Sequence, residues 1–342
     1  MPYSPWDIPM LSNPNEYSNF QCFLQSITPS VPTQQQPPKV PVQMLNGCLS
    51  QSLGNNSTGC FSLSDLWKFY KDWSCFGAGV PILLNSGDSV LQYYSPSLSA
   101  LQIYTRKPVD YYSRLGISCA PKLESDSSDV TSDDSTGDHE VSCQTTERFG
   151  HLYCQYNETA SPYDRVPLTD KANIPITLHF FNTTQSYPAL LKFQSVQLSP
   201  YSWMAVAWYP IYQIPFTRNA KDLSACFITY NTLSSFQGLP CTILEEDEKF
   251  QSINTLGKEW GGGMLEGDSR RGEIALPPFA VATYKMYGEL WTNPETSDKE
   301  NIASYLNAAN SWLKHCKFQH HDFNFFMSRS SGKSATDSVV TH

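Results

Sequence analysis

Gly87-Asp88-Ser89 follows an apolar run, Val80 to Leu84, and is the first place in the chain where nucleophilic chemistry could sit. A catalytic serine needs a base within hydrogen-bond reach and donors aimed at the developing oxyanion. The D-x-x-H spacing that would deliver an Asp and a His together occurs nowhere in the sequence. Ser89 also runs into Val-Leu-Gln-Tyr-Tyr, a β-type stretch rather than a helix. Asn85 to Asp88 therefore reads as a Gly-containing turn between two β segments. An enzyme of unrecognised type, a hydrolase among the options, would need Asp88, Ser89, His151 and Arg165 to converge in one cleft. The sequence assigns no catalytic residue.

Other clusters carry weaker chemistry. "HCKFQHHD", His315 to Asp322, gathers His, Cys and Asp, but the paired short spacings of structural zinc are missing. It reads as a polar helix terminus, where His complements the helix dipole, and neither a metal nor a cofactor is assigned. "EWGGGMLEGDSRRGEI", Glu259 to Ile274, has neither the P-loop nor the dinucleotide-binding spacing and reads as a loop. "SPYDRVPLTDK" and "WYPIYQIPF" set aromatic rings beside prolines. Trp208, Tyr209 and Tyr212 are thus candidates for a peptide or carbohydrate groove, with packing beneath loops as the competing reading.

"LESDSSDVTSDDSTGDHE", Leu123 to Glu140, is acidic and almost without apolar residues. Such a segment cannot bury enough surface to offset ordering entropy. Thr131 and Ser135 each have an Asp three residues on, which suits an acid-directed kinase, and phosphorylation would add charge to an already negative loop. An inert solvated insertion is the alternative.

Composition narrows the class. Of 342 residues 40% are hydrophobic and 16% charged, which is enough for a core and too little charge for a wholly disordered chain. Net charge is −9 and no Lys/Arg run exceeds two, which disfavours nucleic acid as a partner. No apolar run approaches the ~20 residues of a membrane helix, so no membrane insertion is expected. The first residues lack both a basic and an apolar region of a secretory signal. The expectation is an intracellular protein, cytoplasmic or nuclear and not secreted, with its ten Cys as free thiols.

The elements that would position these groups can be outlined. Ser62 to Trp73 predicts a helix, with Ser62 and Asp65 as a capping box and Leu63, Leu66, Trp67 and Tyr70 on one face. Val90–Tyr94 and Leu98–Thr105 predict a hairpin around Ser-Pro-Ser. Further strands are expected at His151–Tyr156, Trp203–Tyr209, Ala225–Tyr230 and Phe279–Met286. "WMAVAWY" is apolar on both parities and should be covered on both faces. Ser297 to His315 predicts a second helix with a Ser297/Glu300 capping box. Consecutive strands with few helices between them argue for an α+β fold on a mainly antiparallel sheet with a few packing helices.

Several of these blocks occur in order and together resemble one family. "LSDLWKFYKDWSCFGAGVPILLNSGDSVLQYYSPSLSALQIY", Leu63 to Tyr104, is similar to the defining stretch of the plant domain of unknown function 789 family (DUF 789). The Ser/Asp-rich insertion, "LYCQYNETASPYDRVPLTDK", "LSPYSWMAVAWYPIYQIPF" and "LSACFITYNTLS" follow it in order, and "SNFQCFLQSITPSVP" precedes it. The resemblance covers about Phe20 to Phe326 and implies a plant protein, with no activity, cofactor or functional residue to carry over.

The expected organisation is a largely disordered Pro/Gln/Asn-rich segment over 1–60, of which 20–30 could dock. A single α+β domain follows over 61–327, interrupted by the disordered acidic insertion at about 121–147, with a disordered tail over 328–342. The preferred function is a non-enzymatic protein-interaction module with a phosphorylatable acidic loop and unknown protein partners. Its oligomeric state is open.

Overall fold

A computed structural model describes residues 17–34, 59–106, 149–166, 168–169, 176–177, 184–185, 190–216, 223–235, 272–287, 289–293 and 296–330. The acidic insertion, with Thr131 and Ser135, the Gly-rich stretch up to Arg271 and the tail from residue 331 on lie outside them, while 328–330 of the expected tail are described and helical.

The spine of the molecule is one long strand, β3 (Ser89–Thr105), not the expected hairpin. Ser-Pro-Ser stays extended because of where it falls. Along one edge of β3, β2 (Ala78–Leu83) pairs with Ser89–Tyr94 and β4 (His151–Asn157) pairs from Ala100 to Thr105. Between them Pro96 meets a gap in the ladder, where a missing N–H costs no strand hydrogen bond. Along the other edge lies β7 (Trp203–Ile214), itself longer than expected. β8 (Cys226–Thr232) and β10 (Ala280–Tyr284) complete an antiparallel sheet of order β10-β8-β7-β3-β2, with β4 also on β3. Two small ladders stand apart: β1 (Ser30–Pro32) with β9 (Glu273–Ala275), and β5 (Ile176–Thr177) with β6 (Thr184–Gln185).

Both faces of the sheet are covered over its middle. On the first, Val80, Tyr94, Met204, Val206 and Trp208 pack under α1 (Asn19–Ser26) and α2 (Leu63–Phe76). On the second, Ala100, Trp203, Ala205, Ala207 and Tyr230 pack under α3 (Asp298–His315) and α4 (His321–Ser330). The double apolar parity of "WMAVAWY" thus serves two cores.

Helix ends differ from the expectation in detail. Ser62 caps α2 by accepting from the Ser64 N–H, while Asp65 turns outward to Gln34 and Lys68. Ser297 makes no side-chain cap on α3; the carboxylate of buried Asp298 accepts from the Asn293 N–H and the Gln21 amide instead. Capping boxes are short-range signals, and here more distant partners outcompete them. α1 does carry a capping box, Ser18 with Gln21. α4 was not anticipated; Phe323, Phe326 and Met327 give it an apolar stripe at i, i+3, i+4.

Candidate functional site

The middle of β3 holds a polar cluster inside the second core. Leu98 faces Val206 and Ala100 faces Ala205, so Ser99 is the extra residue of a β-bulge. The bulge turns Ser99 to the same side as Ala100. From the opposite layer come His320 and Asp322. They arrive there because α3 ends on Lys317 in the left-handed region, φ 50. The Phe318 N–H then bonds the Leu313 carbonyl and the Lys317 N–H bonds the Lys314 carbonyl, closing the helix and reversing the chain.

Ser99 Oγ lies 2.7 Å from His320 Nε2 and also donates to Asp322 Oδ2. Tyr230 Oη lies 2.8 Å from His320 Nδ1. Arg165 clamps Asp322 with two parallel bonds, Nη1 to Oδ2 at 2.8 Å and Nη2 to Oδ1 at 2.7 Å. Its Nε and Nη2 donate to the Ala160 carbonyl, and the guanidinium sits 5.6 Å from the Tyr209 ring centroid. Beside it, buried Glu158 accepts from the Tyr156 hydroxyl and from the Thr159 and Ala160 N–H groups. Asn157 ties the same strand end to the Gln319 carbonyl and the His321 N–H.

The protonation states follow from this geometry. Burial alone would raise the Asp322 carboxyl, but the Arg165 hydrogen bonds and charge outweigh it and hold it below its usual range. An ionised carboxylate only accepts, so the single Ser99 proton goes to Asp322. His320 must then donate to Ser99 through Nε2–H. Burial lowers His320 to about 4, so the ring is neutral and Nδ1 is left to accept from Tyr230. The donors run in one direction, Tyr230 to His320 to Ser99 to Asp322. A serine nucleophile needs the reverse, a bare ring nitrogen facing its hydroxyl. Ser99, His320 and Asp322 have the residue types of a triad, and are arranged as a structural lock between sheet and α4.

The second feature lies farther along the same sheet face, where α3 and α4 no longer cover it. By strand alternation Pro81 and Leu83 of β2, Leu91 and Tyr93 of β3, and Tyr212 and Ile214 of β7 share this face, opposite Val80, Ile82, Val90 and Tyr94. Tyr93 and Tyr212 stack at 4.5 Å, and the Tyr212 hydroxyl donates to the Phe76 carbonyl. Phe76, Leu83, Ile211, Tyr212, Ile214 and Phe216 are exposed by 39% to 84%. None of them is Asp, Glu, Lys, Arg or His.

The residues singled out from the sequence scatter across this frame. Asp88 and Ser89 are exposed at the β2–β3 turn, which closes with the Leu84 N–H on the Asp88 carbonyl and Gly87 at φ 87. His151 pairs with Thr105 at the opposite end of β3, about 50 Å away along the strand. Arg165 alone of the four enters the buried cluster. Trp208 is fully buried, its indole N–H on Thr229 Oγ1, and offers no ring to a ligand. Tyr209 lies half-buried under Arg165, and Tyr212 is exposed. The "HCKFQHHD" residues diverge: His315 stacks on Tyr201, Cys316 is buried, His320 and Asp322 face inward. Among the described residues no group of three or more His, Cys, Asp or Glu is arranged to hold a metal ion, and no helix is long and apolar enough to cross a membrane.

Ser99 carries no sequence signal, since the bulge that exposes it to His320 depends on the pairing with β7. The "HHD" run was visible, but its inward turn depends on the left-handed Lys317.

Residues 18–326 match the family described as protein of unknown function, DUF789. The chain belongs to the DUF789 family. The match runs from the Ser18 cap of α1 to Phe326 in α4. No curated protein and no solved structure matches the chain.

Proposed function

We propose that this DUF789 chain is a non-enzymatic protein-interaction module of plant cells that holds an apolar segment of a partner protein against the open sheet face. The observation that carries the reading is the set of exposed, uncharged side chains of Leu83, Tyr212 and Ile214 on the continuation of the face that α3 and α4 cover elsewhere. Monomer surfaces rarely leave contiguous apolar area open unless something docks there. The acidic segment with Thr131 and Ser135 is the regulatory part of the proposal, phosphorylation adding negative charge beside the module. The hydrolase alternative loses support from the separation of Ser89 and His151 and from the proton order at Ser99.

The test is site-specific photo-crosslinking in plant cells with a benzophenone side chain at position 212 and, as control, at exposed Lys71. Partners joined at 212 and not at 71, and reproduced with purified components, support the reading. Equal crosslinking at both positions rejects it.

A further inference from the structure

We propose that Ser161 is a phosphorylation site for a proline-directed kinase, and that its phosphate draws Arg165 off Asp322 and frees the start of α4. The proposal is independent of the docking reading above. Residues 157–165 are the strap that moors α4. At one end Asn157 bonds the Gln319 carbonyl and the His321 N–H; at the other Arg165 clamps Asp322. Ser161 stands between them, exposed, in extended backbone (φ −56, ψ 146) and directly before Pro162. Its side chain makes no cap bond to the turn Pro162–Asp164 that follows. The other Ser/Thr-Pro pairs of the described residues are engaged or buried. Thr28 Oγ1 donates to the Leu24 carbonyl, Ser95 is held in β3 opposite Tyr209, and Ser199 is 5% exposed.

In the transfer, Ser161 Oγ bonds the γ-phosphorus of ATP held by the kinase. The bond from that phosphorus to the bridging oxygen of ADP breaks, and the hydroxyl proton passes to the kinase's base. The product carries a charge of about −1.5 to −2 on three acceptor oxygens. It branches one peptide unit from the Ala160 carbonyl, to which Arg165 Nε and Nη2 already donate at 3.1 and 3.0 Å. A guanidinium grips phosphate with the same two-pronged geometry it uses on a carboxylate. The buried carboxylates Asp322 and Glu158 already act on Arg165, and exposed Asp164 adds negative charge beside it. The strap carries no other cation, so the phosphate competes for Arg165 itself. Asp322 without Arg165 is an unpaired buried charge, and Ser99 and His320 are bonded around it.

The intact protein is incubated with a purified proline-directed kinase and ATP, and phosphate is mapped by peptide mass. Separately, phosphoserine is installed during synthesis at position 161 or, as control, at exposed Ser86 in the β2–β3 turn, and amide hydrogen exchange is followed along the chain. The expected result is phosphate on Ser161 of the folded protein. Phosphoserine at 161 alone should speed exchange over His321–Ser330 by about tenfold or more and leave β7 unchanged. Phosphate that reaches Ser161 only after urea unfolding overturns the modification site. Unchanged exchange over α4, or equal acceleration from position 86, overturns the release of α4. In Arg165→Leu with Asp322→Leu, phosphoserine at 161 should leave α4 as it was. Acceleration there would show that the phosphate acts without Arg165 and overturn the exchange of partners.

Discussion

His320 should give the fold a pH dependence of its own. The ring titrates near 6.5 when unfolded and near 4 in place, because burial disfavours the charged form. Between those values the unfolded chain binds more protons, so stability falls as pH falls from 6.5 to 4 and levels off below. The shift is worth about 3 kcal/mol. Urea unfolding at a series of pH values should show this slope in the wild type and its loss in His320→Gln. Asp322 acts in a lower window, its contribution present above the ordinary carboxyl range and lost as pH drops through its depressed value. Arg165 is tied to it. With its side chain 3% exposed, Arg165→Leu leaves a buried carboxylate unpaired and should cost about 3–5 kcal/mol. Arg165→Leu with Asp322→Leu should recover most of that loss in the same denaturation assay. An unrecovered double variant would show that the Ala160 bonds, not the ion pair, hold the clamp. None of these three residues could be assembled from the sequence, where 157 positions separate Arg165 from Asp322.

At the scale of elements, the sequence supplied most strands and two helices, and the failures share a cause. Ser95-Pro96-Ser97 has the composition of a turn, and only the gap between β2 and β4 lets it remain strand. The strand at Trp203 was expected to end at Tyr209, yet it runs on through Pro210 to Ile214, a proline that a strand with one ladder partner tolerates. The cap at Ser297 failed because Asp298, fully buried, is engaged by Gln21 from the other end of the chain. Local signals lost wherever a distant partner made the better bond. Gly77 shows a constraint that is local. Its φ is 83, and an added Cβ would lie 2.9 Å from Ile211 Cδ1 and 3.2 Å from Tyr93 Cβ. Gly77→Ala should therefore destabilise by about 1–3 kcal/mol in thermal unfolding, and Gly77→Ala combined with Ile211→Ala should cost less than the sum. α1 is equally committed to the body. Phe23 stacks on Phe227 at 3.9 Å and meets Tyr94, Trp208 and Trp291 edge-on. Phe23→Ala should cost about 3–5 kcal/mol, enough to lower the unfolding midpoint sharply.

For the whole molecule, thiol chemistry reports how tightly the two layers close. Among the described cysteines only Cys75 is exposed. Burial pushes Cys22 up to about 11 and Cys316 up to about 12, and Cys154 higher still. Thiolate is the reactive form, so alkylation of the native protein, mapped by peptide mass, should mark Cys75 at once and Cys22, Cys154 and Cys316 only after unfolding. Native labelling of Cys316 would mean that α3 and α4 open from the sheet. The sequence foretold the layered α+β body from its patterning, and neither the lock under α4 nor the bare sheet end, because both exist only once remote strands are registered.

The bond from the Asn19 amide to the Leu290 carbonyl spans 271 residues. α1 is synthesised 271 residues before Leu290, and with Leu290 and Trp291 its landing site beside Phe227 is completed. At about 5–20 residues per second, roughly 15 to 50 s separate the two. Until then Phe20 lacks its bond to the Trp291 carbonyl and Phe23 its edge contact with the Trp291 ring, and the apolar strand Trp203–Ile214, once made, still waits for α3 and α4. A chain built this way offers apolar surface to holdase chaperones while those segments await their partners, and its yield should depend on them more than its final stability suggests.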